Sequence, residues 1–354
     1  MRSAPPGSMA NRSPTGVAPV LQVHPTRLCN IACAHCYSGS GPTVRGELPL
    51  GLLSDCVDAA AELGYRQLAV SGGEPLLYGS LPLLLARARE SGMLTTVTTN
   101  GMLLTPRRWK PLAGLVDVLA ISIDGTPEEH DVIRRREGAF ARTVANLEVA
   151  RAWGGPFGFI FTLTQYNVDS LEFVVRLAAA EGARSVQVHP LTLYGRAEAT
   201  MAGARPDEIE LAAALCEAAM LGHELGVVVH VDALTADQLL EHRELLVPRR
   251  PVNRLTDVAP VLIVDADGIV IPMTHDVSGS LRLGSLHDEG LAALAAEWLG
   301  AGAGDELAMA CEQAWVDLTS TSPPLAVYWY DEVAARTWAG VPLRRTLELV
   351  PALR

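Results

Sequence analysis

Residues 67–98 read QLAVSGGEPLLYGSLPLLLARARESGMLTTVT, and this stretch contains the alternation that decides the fold. A short apolar run at 67–70 is followed by a glycine-containing turn, an amphipathic stretch at 81–91 and a β-branched run at 94–98. Strand, helix and strand in this order predict a β-α-β unit, in which the two strands lie parallel and the helix packs on one face of the sheet.

The same alternation extends in both directions along the chain. Strands are predicted at 20–24, 67–70, 94–98, 118–123, 157–163 and 185–189, and helices at 50–63, 81–91, 105–113, 140–153 and 171–181. Six strands alternating with helices predict an α/β fold with a parallel sheet, curved into a partial (β/α)6 TIM-like barrel. The chemistry of such a barrel is expected at the carboxyl ends of its strands.

The pattern changes after residue 196. A helix is predicted at 204–225, a strand at 226–231, irregular chain at 249–260 and a hairpin at 260–272 around the turn Asp267-Gly268. We therefore expect the barrel to span 20–200 and a smaller α+β extension to span 201–354. Residues 1–19 lack the apolar run of a signal peptide and are expected to form a flexible N-terminal arm.

The amino-acid composition excludes some classes of binding partner. The 354 residues include 40 Asp and Glu against 28 Lys and Arg, a net charge of −12. Nucleic acids and anionic membranes are bound through clustered basic residues, so we expect neither as the main partner. No apolar run approaches the ~18 residues of a membrane span, and six cysteines are too few for a disulfide scaffold. A cytoplasmic protein that acts on a small molecule or a polypeptide is expected.

Three of the cysteines lie close together after the first strand, in Cys29-Asn-Ile-Ala-Cys33-Ala-His-Cys36. Thiolates favour soft metals, and three ligands leave one iron of a cubane cluster, or one position on zinc, open to another ligand. Two alternatives remain at this point: three buried cysteines without metal, or a structural zinc site completed by His24 or His35.

A second motif, Ser71-Gly72-Gly73-Glu74-Pro75, follows the second strand. Its glycines let the backbone approach a ligand closely, and Glu74 supplies an anionic acceptor. Together with the cysteine loop, this segment resembles the radical S-adenosylmethionine (SAM) superfamily. The resemblance covers about residues 20–200 and continues through Thr99-Asn100-Gly101, Ser122-Ile123-Asp124-Gly125 and His130-Asp131-x-x-Arg134.

The resemblance implies a single [4Fe–4S] cluster held by Cys29, Cys33 and Cys36, with SAM bound to the fourth iron. It also implies reductive cleavage of SAM to methionine and a 5′-deoxyadenosyl radical, which abstracts hydrogen from a substrate C–H bond. A reductant such as flavodoxin or ferredoxin would supply the electron.

The same resemblance assigns the SAM contacts. Gly72, Gly73 and Glu74 would bind the amino group, and His35 would lie near the adenine, where the family usually has an aromatic residue. Ser122 and Asp124 would face the ribose or the substrate, although Asp124-Gly125 equally fits a plain turn. The implied cofactor-binding residues are Gly72, Gly73, Glu74, Pro75, Asn100, Ser122, Asp124, His35 and Arg134, the last binding the SAM carboxylate or an acidic substrate unless it is a surface residue.

Other polar side chains are candidates for substrate chemistry. Gln187 and His189 alternate along the sixth strand and should both face the cavity, where His189 would bind substrate, transfer protons or act as a hydrogen-bonded structural residue. Cys311 is a candidate hydrogen donor to a product radical, or a remnant of a lost cluster site. Cys216 is expected in a helix core.

The extension around 258–315 is similar to the SPASM/twitch extension of peptide-modifying radical SAM enzymes. That family normally has an auxiliary-cluster cysteine where this chain has Met273. Cys56, Cys216 and Cys311 are dispersed and cannot form a four-cysteine site, so we expect an extension without auxiliary cluster ligands.

Two classes of function follow. The first is modification of a ribosomally made precursor peptide in natural product biosynthesis, by crosslinking, oxidation or epimerisation. Because residues 1–19 are too short to fold as a peptide-recognition domain, a separate carrier protein or direct docking in the barrel is expected. The second class is dehydrogenation or rearrangement of a small metabolite such as a sugar or nucleoside. A non-catalytic metal-binding module would require the motifs to be coincidental.

Overall fold

The fold was analysed in a computed structural model that describes residues 18–320 and 323–338, so nearly all of the predicted arm lies outside the described residues. The strands are β1 (Val20–Val23), β2 (Gln67–Val70), β3 (Leu94–Thr99), β4 (Val118–Ser122), β5 (Phe157–Leu163), β6 (Ser185–Pro190), β7 (Val228–Val231), β8 (Leu234–Thr235), β9 (Val261–Val264), β10 (Ile269–Pro272), β11 (Gly284–Ser285) and β12 (Ala326–Val327).

The helices alternate with the strands of the barrel and then cluster in the extension. They are α1 (Leu50–Glu62), α2 (Leu81–Glu90), α3 (Pro106–Trp109), α4 (Pro127–Ile133), α5 (Ala139–Trp153), α6 (Leu171–Glu181), α7 (Arg196–Thr200), α8 (Glu208–Leu225), α9 (Ala236–Glu241), α10 (Arg243–Leu246), α11 (Leu255–Val258), α12 (Leu291–Gly300), α13 (Ala303–Ser320) and α14 (Trp329–Thr337).

Ten strands form one sheet in the order β11-β10-β9-β1-β2-β3-β4-β5-β6-β7, and β8 pairs with β12 separately. From β1 to β7 each strand lies parallel to the next one in the chain. β11 and β7 are the two edges of the sheet, so the barrel is partial, as the alternation of strands and helices predicts.

The two faces of the sheet differ in chemistry. Leu21, Val97 and Val188 point to the helices and are fully buried. Their neighbours Gln22 and Gln187 point to the concave face and are partly exposed. Because successive strand residues alternate between faces, the concave face carries accessible polar side chains such as these two.

Two helices are shorter than the sequence predicts, both because of proline. α3 ends at Trp109, and Pro111, which follows closely, has no N–H group to continue a helix. α8 begins at Glu208 rather than 204, because Pro206 precedes it and the Asp207 carboxylate caps it by accepting hydrogen bonds from the N–H groups of its second and third residues, both at 2.8 Å.

The predicted boundary near residue 200 does not divide the sheet. β7 extends the barrel beside β6, and β9 lies parallel to β1 at the opposite side. β9 and β10 form the hairpin predicted around Asp267-Gly268. The segment after residue 200 therefore contributes strands to both sides of the barrel, which a division by sequence texture does not reveal.

Met273 redirects the chain after β10. It adopts φ +69°, which non-glycine residues rarely do. Beyond it, Val277 packs on Ile263 and Ile271, and Ile263 pairs with Gln22 and so shares its face. The segment after Met273 thus lies on the concave face. Within the described residues, none of the helices has the length and apolarity needed to cross a membrane.

Candidate active site

The cysteine loop lies between β1 and α1. Cys29 and Cys33 are buried, and Cys36 is partly exposed. The three thiols share a small apolar cluster with Ile31 and Met102. The loop thus presents three sulfur ligands within one apolar pocket.

Burial controls the protonation of these thiols. It raises the pKa of Cys29 to about 12 and that of Cys33 to about 11, because a thiolate is poorly solvated there. At Cys33 the Arg134 charge opposes this effect. Thiolates at these positions therefore require added positive charge, which metal ions supply.

The structural zinc alternative gains no support among the described residues. Among the described residues, no three His, Cys, Asp or Glu side chains are arranged to bind a single metal ion. His24 instead contacts Gln22 at 2.9 Å, and Nε2 of His35 lies 2.7 Å from a carboxylate oxygen of Asp124. A cubane cluster, in which each thiolate binds a different iron, does not require the thiols to share one centre.

Gly72 and Gly73 are required by close packing on the cysteine loop. Gly72 has φ +92°, and a Cβ atom there would lie 2.5 Å from Cβ of His24. A Cβ atom on Gly73 would lie 2.4 Å from the Leu28 carbonyl oxygen. The N–H of Gly73 also donates to the Thr26 carbonyl at 3.0 Å. Any larger residue would push this segment off the cysteine loop.

Glu74 is a buried carboxylate with three hydrogen bonds. It accepts from the N–H groups of Leu76 (3.1 Å) and Asn100 (3.0 Å) and from the Thr99 hydroxyl (2.8 Å). Burial raises its pKa and these hydrogen bonds oppose the rise. A carboxylate has about four acceptor sites, and no described cation forms an ion pair with Glu74. One acceptor site therefore remains for a cationic ligand group. Pro75 begins a 3₁₀ turn and has no polar side-chain atom.

Asn100 connects Glu74 to the cysteine loop. Its side-chain amide donates to the Asn30 side chain at 2.8 Å and lies 3.8 Å from Sγ of Cys29. Its side-chain oxygen accepts from the N–H of Met102 at 3.0 Å. The carboxyl end of β3 is thereby fixed against the first cysteine.

Asp124 is fully buried and paired. One carboxylate oxygen lies 2.7 Å from both His35 and Arg134, and the other accepts from the N–H of Thr162 at 3.0 Å. Burial alone would raise the pKa of Asp124, but the charges of Arg134 and His35 outweigh it and hold the pKa far below its ordinary value. The Asp124 carboxylate is occupied by these partners, and its orientation toward ribose or substrate stays a prediction.

Arg134 is buried rather than a surface residue, and its Nε atom has no hydrogen-bond partner among the described residues. Its positive charge lowers the pKa of Cys33 and of Glu74, and the charges of Cys33 and Cys29 raise the pKa of Arg134 in turn. A guanidinium with a spare N–H group beside the cysteine loop can bind a carboxylate. Ser122 is also buried, and it lies on the concave face of β4.

A second polar group lies on the wall formed by β6 and β7. The Asp232 carboxylate forms an ion pair with Nδ1 of His189 and accepts from the Gln187 amide at 2.6 Å. Nε2 of His230 lies 3.2 Å from it. Burial lowers the pKa of His189, but the Asp232 charge outweighs burial and raises it. The Nε2 atom of His189 lies on the concave face and has no hydrogen-bond partner among the described residues.

Four aromatic rings meet beside the cysteine loop. The His275 ring lies 5.1 Å from that of His24, 4.9 Å from Tyr37 and 5.4 Å from Tyr194, measured between centroids. Burial lowers the pKa of His275 to about 4, and neither ring nitrogen has a described partner. This group joins the extension to the barrel.

The remaining cysteines lie on three separate helices. Cys311 of α13 is fully buried in the main hydrophobic core, which raises its pKa to about 12. The hydrogen-donor prediction for Cys311 gains no support, because its thiol does not reach the concave face. Cys216 is exposed on α8, so its predicted core position is wrong, and Cys56 is buried in α1.

Sequence reasoning missed Asp232 and gave Arg196 no specific role. Asp232 follows β7, and the strand-end rule would have identified it had β7 been assigned to the barrel. Arg196 donates to carbonyl groups of the cysteine loop. The partners of Arg196 are backbone carbonyls, which every residue has. The sequence therefore contains no motif that identifies Arg196.

Comparison with protein families gives a direct match. Residues 23–178 match the model of the Radical SAM superfamily. An AdoMet-dependent heme synthase of Methanosarcina barkeri is 35% identical over 173 residues, which cover 48% of this chain and 50% of that protein. A PqqA peptide cyclase of Ruegeria pomeroyi is 34% identical over 192 residues, covering 53% and 51%. The chain thus spans about half the length of these relatives.

Solved structures share the fold. SuiB of Streptococcus suis bound to S-adenosylmethionine superposes with a TM-score of 0.62 at 13% identity, covering 78% of this chain and 65% of SuiB. SuiB has also been solved bound to its precursor peptide SuiA, and that structure superposes with a TM-score of 0.58 at 15% identity, covering 72% and 59%. The fold of the chain is therefore that of radical SAM enzymes.

Proposed function

We propose that the chain is an enzyme of the radical SAM type, since residues 23–178 match the model of that superfamily, and that Cys29, Cys33 and Cys36 hold one [4Fe–4S] cluster that binds SAM. When bound, the cluster and SAM supply a 5′-deoxyadenosyl radical that abstracts hydrogen from a substrate C–H bond. A flavodoxin or ferredoxin would provide the electron.

The observation that carries this proposal is a pair of complementary, incompletely bonded groups beside the three thiols. Among the residues that the structure describes, Glu74 has one acceptor site left and no ion-pair partner, and Arg134 has an N–H group without a partner. Both are buried. The amino-acid part of SAM carries an ammonium and a carboxylate, which would satisfy Glu74 and Arg134 respectively.

The other strand-end residues would shape this site. Asp124 holds Arg134 in place and orients His35 through its ring nitrogen. His35 would contact the adenine edge, and Ser122 would lie toward the ribose or the substrate. Gly72 and Gly73 keep the Glu74 segment against the cysteine loop. Asn100 fixes the end of β3 in the same site.

We propose a precursor peptide as the substrate. The name PqqA peptide cyclase assigns a peptide to one relative, and SuiB holds a precursor peptide on a shared fold. The concave face of this chain adds support, because its side chains include Gln22, Thr98 and Gln187, which hydrogen-bond readily to peptide groups. A separate carrier protein would deliver the peptide.

A second candidate is a tetrapyrrole, since the AdoMet-dependent heme synthase relative is 35% identical. A tetrapyrrole is a wide, flat and mainly apolar ligand that favours an apolar pocket. The amide and hydroxyl side chains on the concave face favour the peptide. A sugar or nucleoside would suit the polar face, although neither relative's name includes one.

One experiment separates these candidates. The chain is co-expressed with a short open reading frame adjacent to its gene, and the peptide is analysed by mass spectrometry. We expect a change in hydrogen content that depends on SAM and is absent with Cys33→Ser. In parallel, purified protein is titrated with iron coproporphyrin III. Tight porphyrin binding together with an unmodified peptide would contradict the peptide proposal.

A further inference from the structure

Arg196 lies against the cysteine loop although it is 160 residues away in sequence from Cys36. It begins α7 directly after the loop that follows β6. Its Nη1 donates to the Cys33 carbonyl at 3.0 Å, and its Nη2 donates to the carbonyls of Gly39 (3.0 Å) and Ser40 (2.6 Å). One guanidinium thus crosslinks two parts of the loop.

The backbone at this position adds to the contact. The N–H of Arg196 donates to the Cys36 carbonyl at 2.9 Å. The preceding Gly195 has φ +64°, and a Cβ atom there would lie 2.1 Å from the Tyr37 carbonyl oxygen. Only glycine allows so close an approach, so residues 195–196 are fitted to the loop between Cys33 and Ser40.

The charge of Arg196 has no counterion in the described part of the chain. Among the described residues, no carboxylate forms an ion pair with it, and its guanidinium bonds only to carbonyl oxygens. A partly buried cation without an anionic neighbour is costly unless an anion is bound nearby. Three thiolates and a cluster carry net negative charge, and reduction adds one more negative charge.

We propose that Arg196 is the positioning residue of the cysteine loop and the counter-charge of its cluster. It holds the carbonyls of Cys33, Gly39 and Ser40 in one arrangement, and its positive charge favours the reduced, more negative state of the cluster. The proposal rests on the function proposed above, since it requires a cluster on this loop.

Three variants test it. Arg196→Gln removes the charge and most of the donors, and Arg196→Lys keeps the charge but cannot span the three carbonyls. Arg45→Gln is the matched control, because Arg45 also donates only to backbone carbonyls, those of Pro42 and Val44, but is exposed outside the cysteine segment. Each protein is reconstituted anaerobically with iron and sulfide.

Two measurements are made on the reconstituted proteins, iron release to a chelator and midpoint potential by redox titration with EPR. We expect iron release to be several-fold faster in both Arg196 variants, and the potential to become more negative in Arg196→Gln only. Arg45→Gln should match the wild type in both. A midpoint potential equal to that of the wild type in Arg196→Gln would overturn the counter-charge role. Iron release at the wild-type rate in both Arg196 variants would overturn the positioning role.

The cluster-free proteins provide a separate readout. Hydrogen–deuterium exchange should be faster at the amides of residues 33–41 in Arg196→Gln than in the wild type, and unchanged there in Arg45→Gln. Unchanged exchange in Arg196→Gln would also contradict the positioning role. Wild-type protein that binds no iron would overturn the proposed function itself, which distinguishes that failure from a failure of the Arg196 proposal.

Discussion

The ends of β1–β4 and the wall formed by β6 and β7 both carry charged groups, but they use them differently. Around Glu74, Asp124 and Arg134 the charged groups are buried: Asp124 pairs with Arg134, and Glu74 is bonded by backbone N–H groups and a hydroxyl. On the other wall, His189 and His230 share one carboxylate and keep their remaining nitrogens on an accessible face. The first arrangement suits a fixed cofactor, and the second suits a substrate that binds and leaves.

The largest effect is expected at the cysteine loop. Cys33→Ala removes one of three ligands, so reconstituted protein should hold little iron and form 5′-deoxyadenosine from SAM and dithionite only at background level. Cys216→Ala, which changes an exposed thiol on α8, should retain both. Iron analysis and liquid chromatography of the nucleoside check this. Production of 5′-deoxyadenosine by Cys33→Ala at the wild-type rate would show that Cys33 is not a ligand.

The buried pair should dominate stability. Asp124→Asn leaves Arg134 without its counter-charge and should cost about 3–5 kcal/mol in the free energy of unfolding. Asp267→Asn breaks an exposed pair with Arg27 and should cost less than ~1 kcal/mol. Denaturant titration measures both. Equal costs would mean that burial adds nothing to the contribution of the Asp124–Arg134 pair.

The pH dependence of this effect has a definite sign. The pKa of Asp124 is lower in the folded protein than the unfolded value of about 3.9. Its contribution is therefore complete above about pH 4 and is lost as the pH falls toward the folded pKa. The difference in stability between wild type and Asp124→Asn should shrink in acid, and growth of that difference in acid would contradict the assignment.

The second wall should respond more weakly. Asp232→Asn removes the charge that raises the pKa of His189, so that pKa should fall, as NMR of the ring can measure. Because His189 is partly exposed, we expect a loss of only ~0.5–1 kcal/mol in stability. Asp237→Asn, at an exposed site on α9, should leave the pKa of His189 unchanged.

Here the pH dependence runs the other way. A pKa raised above the unfolded value of about 6.5 stabilises the fold below that pH, and the stabilisation is lost as the pH rises through the folded pKa. The cost of Asp232→Asn should therefore be larger at about pH 5 than at about pH 9. A larger cost in alkali would show that His189 and Asp232 are not coupled in this way.

Effects of similar or smaller size are expected at the dispersed cysteines. Cys311→Ala leaves a small cavity in the core and should cost about 1 kcal/mol, whereas Cys216→Ala should change stability by no more than about 0.5 kcal/mol. Thermal unfolding compares them. Both should bind as much iron as the wild type, and iron loss in Cys311→Ala would connect this thiol to the metal after all.

The barrel could be predicted from local sequence because its signals are local. β2 and β5 occur at the predicted residues, since short β-branched or apolar runs between turns specify them. The position of β9 beside β1 could not be predicted in this way. The paired residues are about 240 positions apart, and such a pairing produces no periodic pattern in the sequence.

The candidate site also contains residues that local sequence identifies and residues that depend on long-range contacts. The cysteines and the Glu74 segment follow strands directly and form local motifs, so the sequence identified them. The burial of Asp124 depends on Arg134 and His35 folding over it, and Asp232 requires β7 to join the sheet. Contacts between residues far apart in the chain therefore could not be predicted from the sequence, although the residue types involved could be read from it.

Metal analysis with EPR of the anaerobically reconstituted wild-type protein tests the central claim most directly. The account predicts about four irons per chain and, after reduction, one cluster signal that changes when SAM is added. Protein that retains zinc in place of iron, or an iron signal indifferent to SAM, would contradict it.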